Sequence, residues 1–371
     1  MRRLRSLDGL RGAAALGAVL WHWQHFYMLK SAEGSAADRP FLGLLWPFYV
    51  TGWVVVDLFF VLSGFVFFWL YGESIRNRAI GGLSFAMLRF SRLYPLHFAT
   101  LILVGLLQLY FFRSHGAFFV YEVNDWRHFA AQLFMAQNWW PQSPFSFNGP
   151  AWSISVEVML YALFFLACRC GLRRASHCLF IALIGGLILL LDDRIARGWI
   201  GFFMGGLVFA LWDRWKDDPS VARRAEKIST MAALTGWTLL CLATYYRTAW
   251  FALGEANSIF LVMFDFGLGP LTVLMLVLRE HRLGCSHPAL AFLGDISYSV
   301  YLLHFPLQLA LVSLAPMLGW DPAFFSEGWV LLAFFAVLIG LSALTHRYFE
   351  RPLQQVIRAS SRTSCAAAVT A

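Results

Sequence analysis

The sequence predicts an all-α integral membrane protein, a bundle of about ten transmembrane helices with both termini in the cytoplasm. Three observations lead to this prediction. The 371 residues are 59% hydrophobic and 13% charged, with a mean hydropathy of +0.63, whereas soluble domains carry about 25% charged residues. Ten apolar runs approach the length of about 20 residues with which a helix crosses a bilayer. The basic residues are concentrated between alternate runs.

The apolar runs follow one another along nearly the whole chain. They cover residues 10–29, 48–70, 93–112, 151–168, 177–191, 198–212, 228–246, 257–278, 290–314 and 328–346. The fifth and sixth runs are short and are separated only by the polar stretch 192–197, which predicts a tight hairpin. An eleventh apolar segment, Phe129–Trp140, is too short and too polar to span, so we expect it in the membrane interface.

The distribution of positive charge predicts the orientation. If the N-terminus is cytoplasmic and the helices alternate, 22 of the 29 Lys and Arg residues fall on the cytoplasmic side and seven on the outside. This bias is what the positive-inside rule predicts for an even number of helices. We therefore expect one membrane domain, residues 1–358, followed by a disordered cytoplasmic tail, residues 359–371, of small and polar residues.

The net charge of +8 does not indicate nucleic-acid binding. The basic residues lie in short clusters between apolar runs and have no interleaved aromatic residues on which bases could stack. The six cysteines also lack the spacing of a zinc site. The sequence therefore predicts a lipid bilayer as the partner of this surface, no nucleic acid and no metal.

Ionisable residues inside the predicted helices are candidates for function, because such residues are costly in a membrane and usually face the bundle interior. They occur in five of the ten predicted helices: His22, His25, Asp57, Glu157, Asp265 and His304.

Arg11 and His22 share one face of the first helix, about 16 Å apart along its axis. Arg11 would lie at the cytoplasmic entrance and His22 near the middle of the membrane. A ligand with an anionic end and a long neutral arm, such as coenzyme A, fits this spacing. The alternative is an arginine that only sets topology and a histidine that is hydrogen-bonded between helices.

Two further patterns lie in the third and fourth helices. Arg89 and Arg92 share a face at the cytoplasmic end of the third helix, where they could bind phosphate or serve only the positive-inside rule. Ser153, Glu157 and Tyr161 form a polar stripe on the fourth helix, with Glu157 expected in its outer half. Glu157 would either hold a neighbouring helix or meet a polar substrate from outside.

The ninth helix brings further polar groups to the same depth. Tyr301 and His304 are neighbours on one face, and His304 is predicted to lie level with His22. Pro306 removes one helical hydrogen bond and leaves a carbonyl free nearby. Asp57 reaches a similar depth from the second helix, so several helices place polar groups at one level.

Six motifs in this chain resemble those of the acyltransferase 3 family, the multi-pass bacterial sugar O-acyltransferases that include O-antigen and Nod-factor acetylases. The resemblance extends from Leu7 to Pro352, and the motifs occur in the expected order. They are Arg11-x10-His22, Val56-Asp57-Leu-Phe-Phe-Val-Leu-Ser63-Gly64-Phe65, Arg89-x-x-Arg92-x-Tyr-Pro95, Trp152-Ser153-x-Ser155-Val-Glu157, Ser297-Tyr298-x-x-Tyr301-Leu-x-His304 and Tyr348-Phe-Glu350-Arg-Pro352.

The resemblance implies an enzyme of the bacterial cell membrane. It would take an acyl group, usually acetyl, from cytoplasmic acyl-CoA and place it on a hydroxyl of a sugar or glycoconjugate acceptor at the outer face. His22 matches the family's essential histidine, and Arg11, Arg89 and Arg92 match residues assigned to the donor. Many relatives carry a further arginine where this chain has Ser91, which implies weaker donor binding. Some also carry a fused periplasmic SGNH hydrolase-like domain that these 371 residues lack.

Under this interpretation His22 acts as general base on the acceptor hydroxyl or as a transient acyl carrier. Asp57, Glu157 or His304 would orient the imidazole or the acceptor, and Ser153, Tyr161, Ser297, Tyr298 and Tyr301 would line the site. The alternative is a secondary transporter of a small polar solute, since transporters also carry charges at mid-membrane depth and broken helices. A transporter of that kind predicts an internal repeat, and the sequence shows none.

Overall fold

The computed structural model describes residues 3–28, 38–245, 260–284 and 287–367. It is 84% helical, and the described residues contain no strand. The described α-helices are α1 (Arg5–His22), α2 (Leu42–Thr51), α3 (Val55–Arg76), α4 (Gly82–His115), α5 (Trp126–Leu133), α6 (Trp152–Arg169), α7 (Ala175–Ile188), α8 (Asp193–Trp215), α9 (Pro219–Tyr245), α10 (Gly269–Leu283), α11 (Pro288–Leu314), α12 (Gly328–Thr345) and α13 (Arg351–Ala367).

The prediction of an all-α integral membrane protein is confirmed. Among the described residues, eight helical segments are long and apolar enough to cross a membrane. They are Leu42–Arg76, Gly82–His115, Gly149–Arg169, Asp193–Trp215, Pro219–Tyr245, Phe260–Leu283, Pro288–Leu318 and Gly328–Ala359. Each coincides with one of the predicted runs, although residues 246 and 257–259 of two of these runs lie outside the described residues.

The two remaining predicted spans are helical but less suited to face lipid. Helix α7 has only 14 residues and packs against α8 across the predicted hairpin. Helix α1 carries Arg5, Asp8 and Arg11 within 18 residues. It tolerates them because it packs extensively on α11 and also on α3 and α2, so protein surrounds much of its surface.

Two segments are predicted to lie outside the membrane-spanning helices, the interfacial segment Phe129–Trp140 and the C-terminal tail. The eleventh apolar segment forms the short helix α5 and a turn, with Trp139 and Trp140 half exposed, so it does not span. Helix α13 continues to Ala367, nine residues beyond the point where the sequence predicts a disordered tail to begin. No glycine or proline interrupts residues 359–367, so the helix can propagate. Residues 368–371 lie outside the described residues.

Close helix crossings hold the centre of the bundle together. Helices α3 and α8 approach so closely that a Cβ atom on Gly64 would lie 1.8 Å from the backbone oxygen of Phe202. A Cβ atom on Gly205 would lie 2.1 Å from the oxygen of Val61. Small residues allow such approaches between membrane helices. The α3–α8 and α1–α11 pairs therefore form a tightly packed frame around the polar residues.

Candidate active site

A positively charged cavity lies among α1, α3, α4, α6, α11 and α13. We call it the arginine cavity; its volume is about 430 Å³. Its charged lining consists of six arginines, three carboxylates and one histidine, which are Arg3, Arg11, Arg89, Arg92, Arg351, Arg358, Asp8, Glu157, Asp295 and His346. With the histidine neutral, the lining therefore has a formal charge of +3. All three arginines assigned to the donor by resemblance lie in this cavity.

The arginines of the cavity differ in whether a carboxylate neutralises their positive charge. Arg92 donates to Glu350 at 2.9 Å, and Arg3 is paired with Asp8 and Asp295. Arg11 and Arg89, in contrast, have no carboxylate within ion-pair distance among the described residues.

The guanidinium of Arg89 lies 4.9 Å from the ring centroids of both Phe67 and Tyr71 and donates to the Tyr71 hydroxyl at 2.7 Å. Its Nε is buried and has no hydrogen-bond partner among the described residues. Arg11 and Arg89 thus leave two positive charges in the cavity for an anionic ligand.

Glu157 lies in the arginine cavity and makes no contact with His22. It accepts a hydrogen bond from Ser63 on α3 at 2.6 Å, which ties α6 to α3. Of the two roles that the sequence left open, this contact fits the one that holds a neighbouring helix. Tyr161, on the same stripe, stacks on Phe67 with 4.6 Å between ring centroids and also lines the cavity.

A second cavity, of about 620 Å³, contains His22 and His25; we call it the histidine cavity. It lies beyond the His22 end of α1, whereas Arg11 and the arginine cavity lie toward the other end. Aromatic rings dominate its walls, and its basic groups come from the start of α8. The aromatic and charged lining residues are Trp21, Trp53, Tyr121, Phe145, Trp152, Asp193, Arg194 and Arg197.

Contacts from His304 define the proton positions on His22. The Nδ1 of His304 lies 2.6 Å from the backbone oxygen of Tyr301, which can only accept, so this nitrogen carries the proton. In the neutral ring, Nε2 of His304 is then an acceptor, and it lies 3.1 Å from Nδ1 of His22. His22 Nδ1 also lies 2.8 Å from the oxygen of Ala18, a second acceptor. His22 therefore carries its proton on Nδ1, and its Nε2 lone pair has no hydrogen-bond partner among the residues that the structure describes.

Gln308 on α11 makes hydrogen bonds to both His22 and His25. Its side-chain nitrogen donates to the backbone oxygen of His22 at 2.9 Å, and its side-chain oxygen accepts from Nδ1 of His25 at 3.0 Å. The two histidine rings of α1 lie 5.0 Å apart between centroids. One amide on α11 thus fixes the backbone at His22 and the tautomer of His25 together.

Asp57 reaches the predicted depth but contacts a different residue from the one expected. It accepts from Nε of Arg197 at 2.9 Å, and Arg197 also donates to the backbone oxygen of Trp53 at 3.0 Å. The sequence interpretation places Arg197 in an outer loop, whereas the structure places it in α8 with 7% exposure. Among the described residues, Asp57 is therefore paired with Arg197 and makes no hydrogen bond to His22. Asp265, on the π-helical turn Phe264–Leu268, is fully buried and has no hydrogen-bond partner among the described residues.

Tyr301 lies between the two cavities. Its hydroxyl donates to the backbone oxygen of Pro150 at 2.6 Å and lies 3.0 Å from the hydroxyl of Ser153, which donates to it. The other predicted lining residues of α11 lie further toward the arginine end. Tyr298 donates to the oxygen of Leu93 at 2.6 Å, and Ser297 donates to the oxygen of Gly294 at 2.8 Å.

Sequence reasoning did not identify the contributions of α13 and of Gln308. Arg351 and Arg358 enter the arginine cavity from the end of the chain, and Nε of Arg358 lies 3.3 Å from the hydroxyl of Ser91. A guanidinium from α13 therefore lies against the position where the resemblance notes a missing arginine. Arg351 belongs to a quoted motif, and the spacing Arg351–Arg358 places both on one helix face, which was the available signal.

This arrangement offers an anion-binding cavity on one side and an unprotonated imidazole nitrogen on the other. Such a nitrogen can remove a proton from a hydroxyl or can itself attack a carbonyl carbon. His304 and the Ala18 oxygen would stabilise the proton on Nδ1 as positive charge develops on the ring.

Comparisons with known proteins agree with this chemistry. A family model described as an acyltransferase domain matches residues 4–347. The chain is 26% identical over 395 residues to the acyltransferase MdmB of Streptomyces mycarofaciens, covering 96% of this chain and 92% of MdmB. It is 23% identical over 390 residues to the O-acetyltransferase OatA of Staphylococcus aureus, covering 95% of this chain and 58% of OatA.

A third relative, protein 2 in the picA locus of Rhizobium radiobacter, is 36% identical over 99 residues, covering 27% of this chain and 42% of that protein. No solved structure matches the chain significantly. The chain thus spans nearly all of MdmB but less than two thirds of OatA. Because the family match covers almost all of the helical bundle, the whole histidine cavity and the arginine cavity except for Arg3 and the residues of α13, this chain belongs to the acyltransferase 3 family of membrane O-acyltransferases.

Proposed function

We propose that the protein transfers an acyl group, acetyl as is usual in the family, from cytoplasmic acyl-CoA to a hydroxyl of a sugar or glycoconjugate at the outer face of the cell membrane. The observation that carries this proposal is the free Nε2 of His22, presented to one cavity, while two uncompensated arginines lie in the other. The alternative of a secondary transporter loses ground because the chain belongs to an acyltransferase family.

The arginine cavity is suited to the nucleotide end of coenzyme A. Its formal charge of +3 attracts phosphates, and Arg11 and Arg89 have no carboxylate partner that a phosphate would have to displace. The separation of about 16 Å between Arg11 and His22 along α1 suits a long neutral arm. The concentration of basic residues at this end supports a cytoplasmic opening.

The histidine cavity is suited to a hydroxylated acceptor. Trp21, Tyr121 and Trp152 supply ring faces, and Arg194 and Asp193 supply polar groups that could fix its orientation. The printed name of OatA, an O-acetyltransferase, supports oxygen as the atom acylated. An acceptor delivered from outside would meet His22 without crossing the arginine cavity.

The proposed reaction uses His22 as general base. Nε2 takes the proton of the acceptor hydroxyl, and the oxygen attacks the carbonyl carbon of the thioester. The carbon–sulfur bond then breaks, and the departing thiolate takes up the proton from the imidazolium. His304 holds the proton on Nδ1 throughout, so that Nε2 is the nitrogen that exchanges protons.

The primary test is release of free coenzyme A by purified protein supplied with acetyl-CoA and a detergent extract of the source membrane. We expect His22→Ala to lower release by about 100-fold or more, the lower limit typical of a lost general base. His97→Gln is the matched control, because His97 is buried but contacts the backbone oxygen of Gln132, away from both cavities. Equal activity of well-folded wild-type and His22→Ala proteins would contradict the assignment.

A binding measurement tests the donor separately. Acetyl-CoA affinity should fall in Arg11→Ala and Arg89→Ala and should persist in His22→Ala, because the arginines that would hold the phosphates lie in a different cavity from His22. Protein with no measurable affinity for any acyl-CoA would contradict the donor assignment and return attention to another acyl donor.

A further inference from the structure

The arginine and histidine cavities meet at the side chain of Tyr301. Tyr301 and Ser153 line the arginine cavity, whereas Pro150 lines the histidine cavity. The Tyr301 hydroxyl is hydrogen-bonded to both of these neighbours, at 2.6 Å to the Pro150 oxygen and 3.0 Å to the Ser153 hydroxyl. The Tyr301 side chain thus extends from α11 to the turn that precedes α6, and its hydroxyl lies between a residue of one cavity and a residue of the other.

On α3 and α6 too, residues that are close in sequence line different cavities at the depth of Tyr301. On the α3 side Val56 lines the histidine cavity and Phe59 the arginine cavity, and on α6 the same change occurs between Trp152 and Ser153. Phe59 packs against the ring of Tyr301 with 6.0 Å between centroids. The change of side on two other helices shows that Tyr301 belongs to a wall that crosses the bundle.

The same residue also supports His22. The backbone oxygen of Tyr301 accepts from Nδ1 of His304, and His304 contacts Nδ1 of His22. The hydroxyl of Tyr301 therefore closes the wall while its carbonyl begins the chain of contacts that frees Nε2 of His22. Tyr301 therefore connects the separation of the two cavities with the position of the proton on His22.

We infer that the Tyr301 side chain is the barrier that an acyl thioester displaces on its way from the arginine cavity to His22, and that it keeps the thioester from His22 until then. This inference rests on the proposed function. In the closed arrangement the thioester remains on the arginine side, separated from the water of the histidine cavity. Release of the Tyr301 hydroxyl from Pro150 and Ser153 opens the passage.

A weakened barrier has a defined chemical consequence, which is hydrolysis in place of transfer. Nε2 of His22 takes a proton from water, and the hydroxide oxygen attacks the thioester carbonyl carbon. The carbon–sulfur bond breaks, the thiolate takes up the proton, and the products are a carboxylic acid and free coenzyme A. This reaction needs no acceptor, so it can be measured apart from transfer.

The experiment compares coenzyme A release without acceptor to release with acceptor, in intact purified protein. Tyr301→Phe keeps the ring but loses both hydrogen bonds of the hydroxyl, and we expect acceptor-independent release to rise about tenfold relative to transfer, as the loss of two such bonds implies. Tyr27→Phe is the matched control, since the Tyr27 hydroxyl also donates to a backbone carbonyl, that of Phe325 at 3.1 Å, and lies 3.2 Å from a serine hydroxyl, that of Ser326, while Tyr27 lines neither cavity. The double variant Tyr301→Phe with His22→Ala should lose the extra release.

The outcomes separate the two proposals. If wild-type protein shows His22-dependent transfer but Tyr301→Phe and Tyr27→Phe have the same ratio of hydrolysis to transfer, the barrier is wrong and the function stands. If no protein releases coenzyme A and none binds acyl-CoA, the proposed function fails first. Should Tyr301→Phe not fold, Ser153→Ala removes one partner of the same hydroxyl and must raise the ratio in the same direction.

Discussion

His22 depends on His304 for the position of its proton. The backbone oxygen of Tyr301 fixes the tautomer of His304, and His304 in turn fixes that of His22. A backbone carbonyl is a fixed acceptor, so the arrangement is maintained without a carboxylate. This distinguishes the site from a catalytic triad in which an aspartate orients the base.

Replacement of His304 should therefore affect the chemical step more than donor binding. In His304→Phe the ring volume is similar, but His22 loses the acceptor that helps to hold its proton on Nδ1. We expect kcat to fall about 100-fold while KM for acyl-CoA stays near the wild-type value, because His304 lines neither cavity. Steady-state kinetics on purified protein measure both. A comparable loss of acyl-CoA affinity would indicate that His304 only supports the fold.

For single residues, the sequence predicts well how deep in the membrane a side chain lies, but it predicts poorly which neighbouring residue that side chain faces. The 16 Å separation of Arg11 and His22 follows from helical rise alone, and the structure places them in separate cavities. Asp57 and Glu157 also lie in the helices expected, yet they contact Arg197 and Ser63 and not His22. Which face of one helix meets another depends on the packing of the whole bundle, and a single sequence does not give it.

Among the helices, the close crossing of α3 and α8 holds together the packing around the two cavities. Gly64→Ala would place a methyl group 1.8 Å from a backbone oxygen, and backbone cannot move aside as a flexible side chain can. We expect a loss of stability at or above the 1–3 kcal/mol or so typical of overpacking. Thermal unfolding in detergent measures it.

Gly340→Ala provides the control for that substitution. Gly340 lies on α12, and a Cβ atom there meets nothing within 4 Å. Alanine also has the higher helix propensity, so this variant should be as stable as the wild type or more so. Equal destabilisation by both changes would show that the close crossing of α3 and α8 does not limit stability.

The apolar runs predict which segments form helices, but they do not predict where those helices begin and end. Helix α4 begins at Gly82, eleven residues before the predicted run, because its polar first turns continue the helix outside the apolar zone. The carbonyl that Pro306 frees is that of Leu302, and the Asn148 side chain donates to it at 3.1 Å. Proline predicts the free acceptor, while its partner from another segment could not be predicted.

For the molecule as a whole, the even number of helical segments predicts both termini on one side of the membrane. We expect a cysteine introduced by Asp217→Cys, between α8 and α9, to react with a membrane-impermeant thiol reagent only after cells are permeabilised. Ser114→Cys, at the end of α4, should react in intact cells. Both positions are exposed, and the native cysteines would be replaced first. The reverse labelling pattern would contradict the orientation and with it the cytoplasmic donor.

The wall at Tyr301 also concerns the energy supply of the cell that carries this protein. A bundle with water-accessible polar cavities from both faces risks becoming a conductor of protons, which would dissipate the gradient that drives ATP synthesis. In the barrier that we infer, the hydroxyl bonds to Pro150 and Ser153 would interrupt the path between the cavities. Under the proposed function, acyl groups would then cross one at a time while the membrane stays electrically sealed.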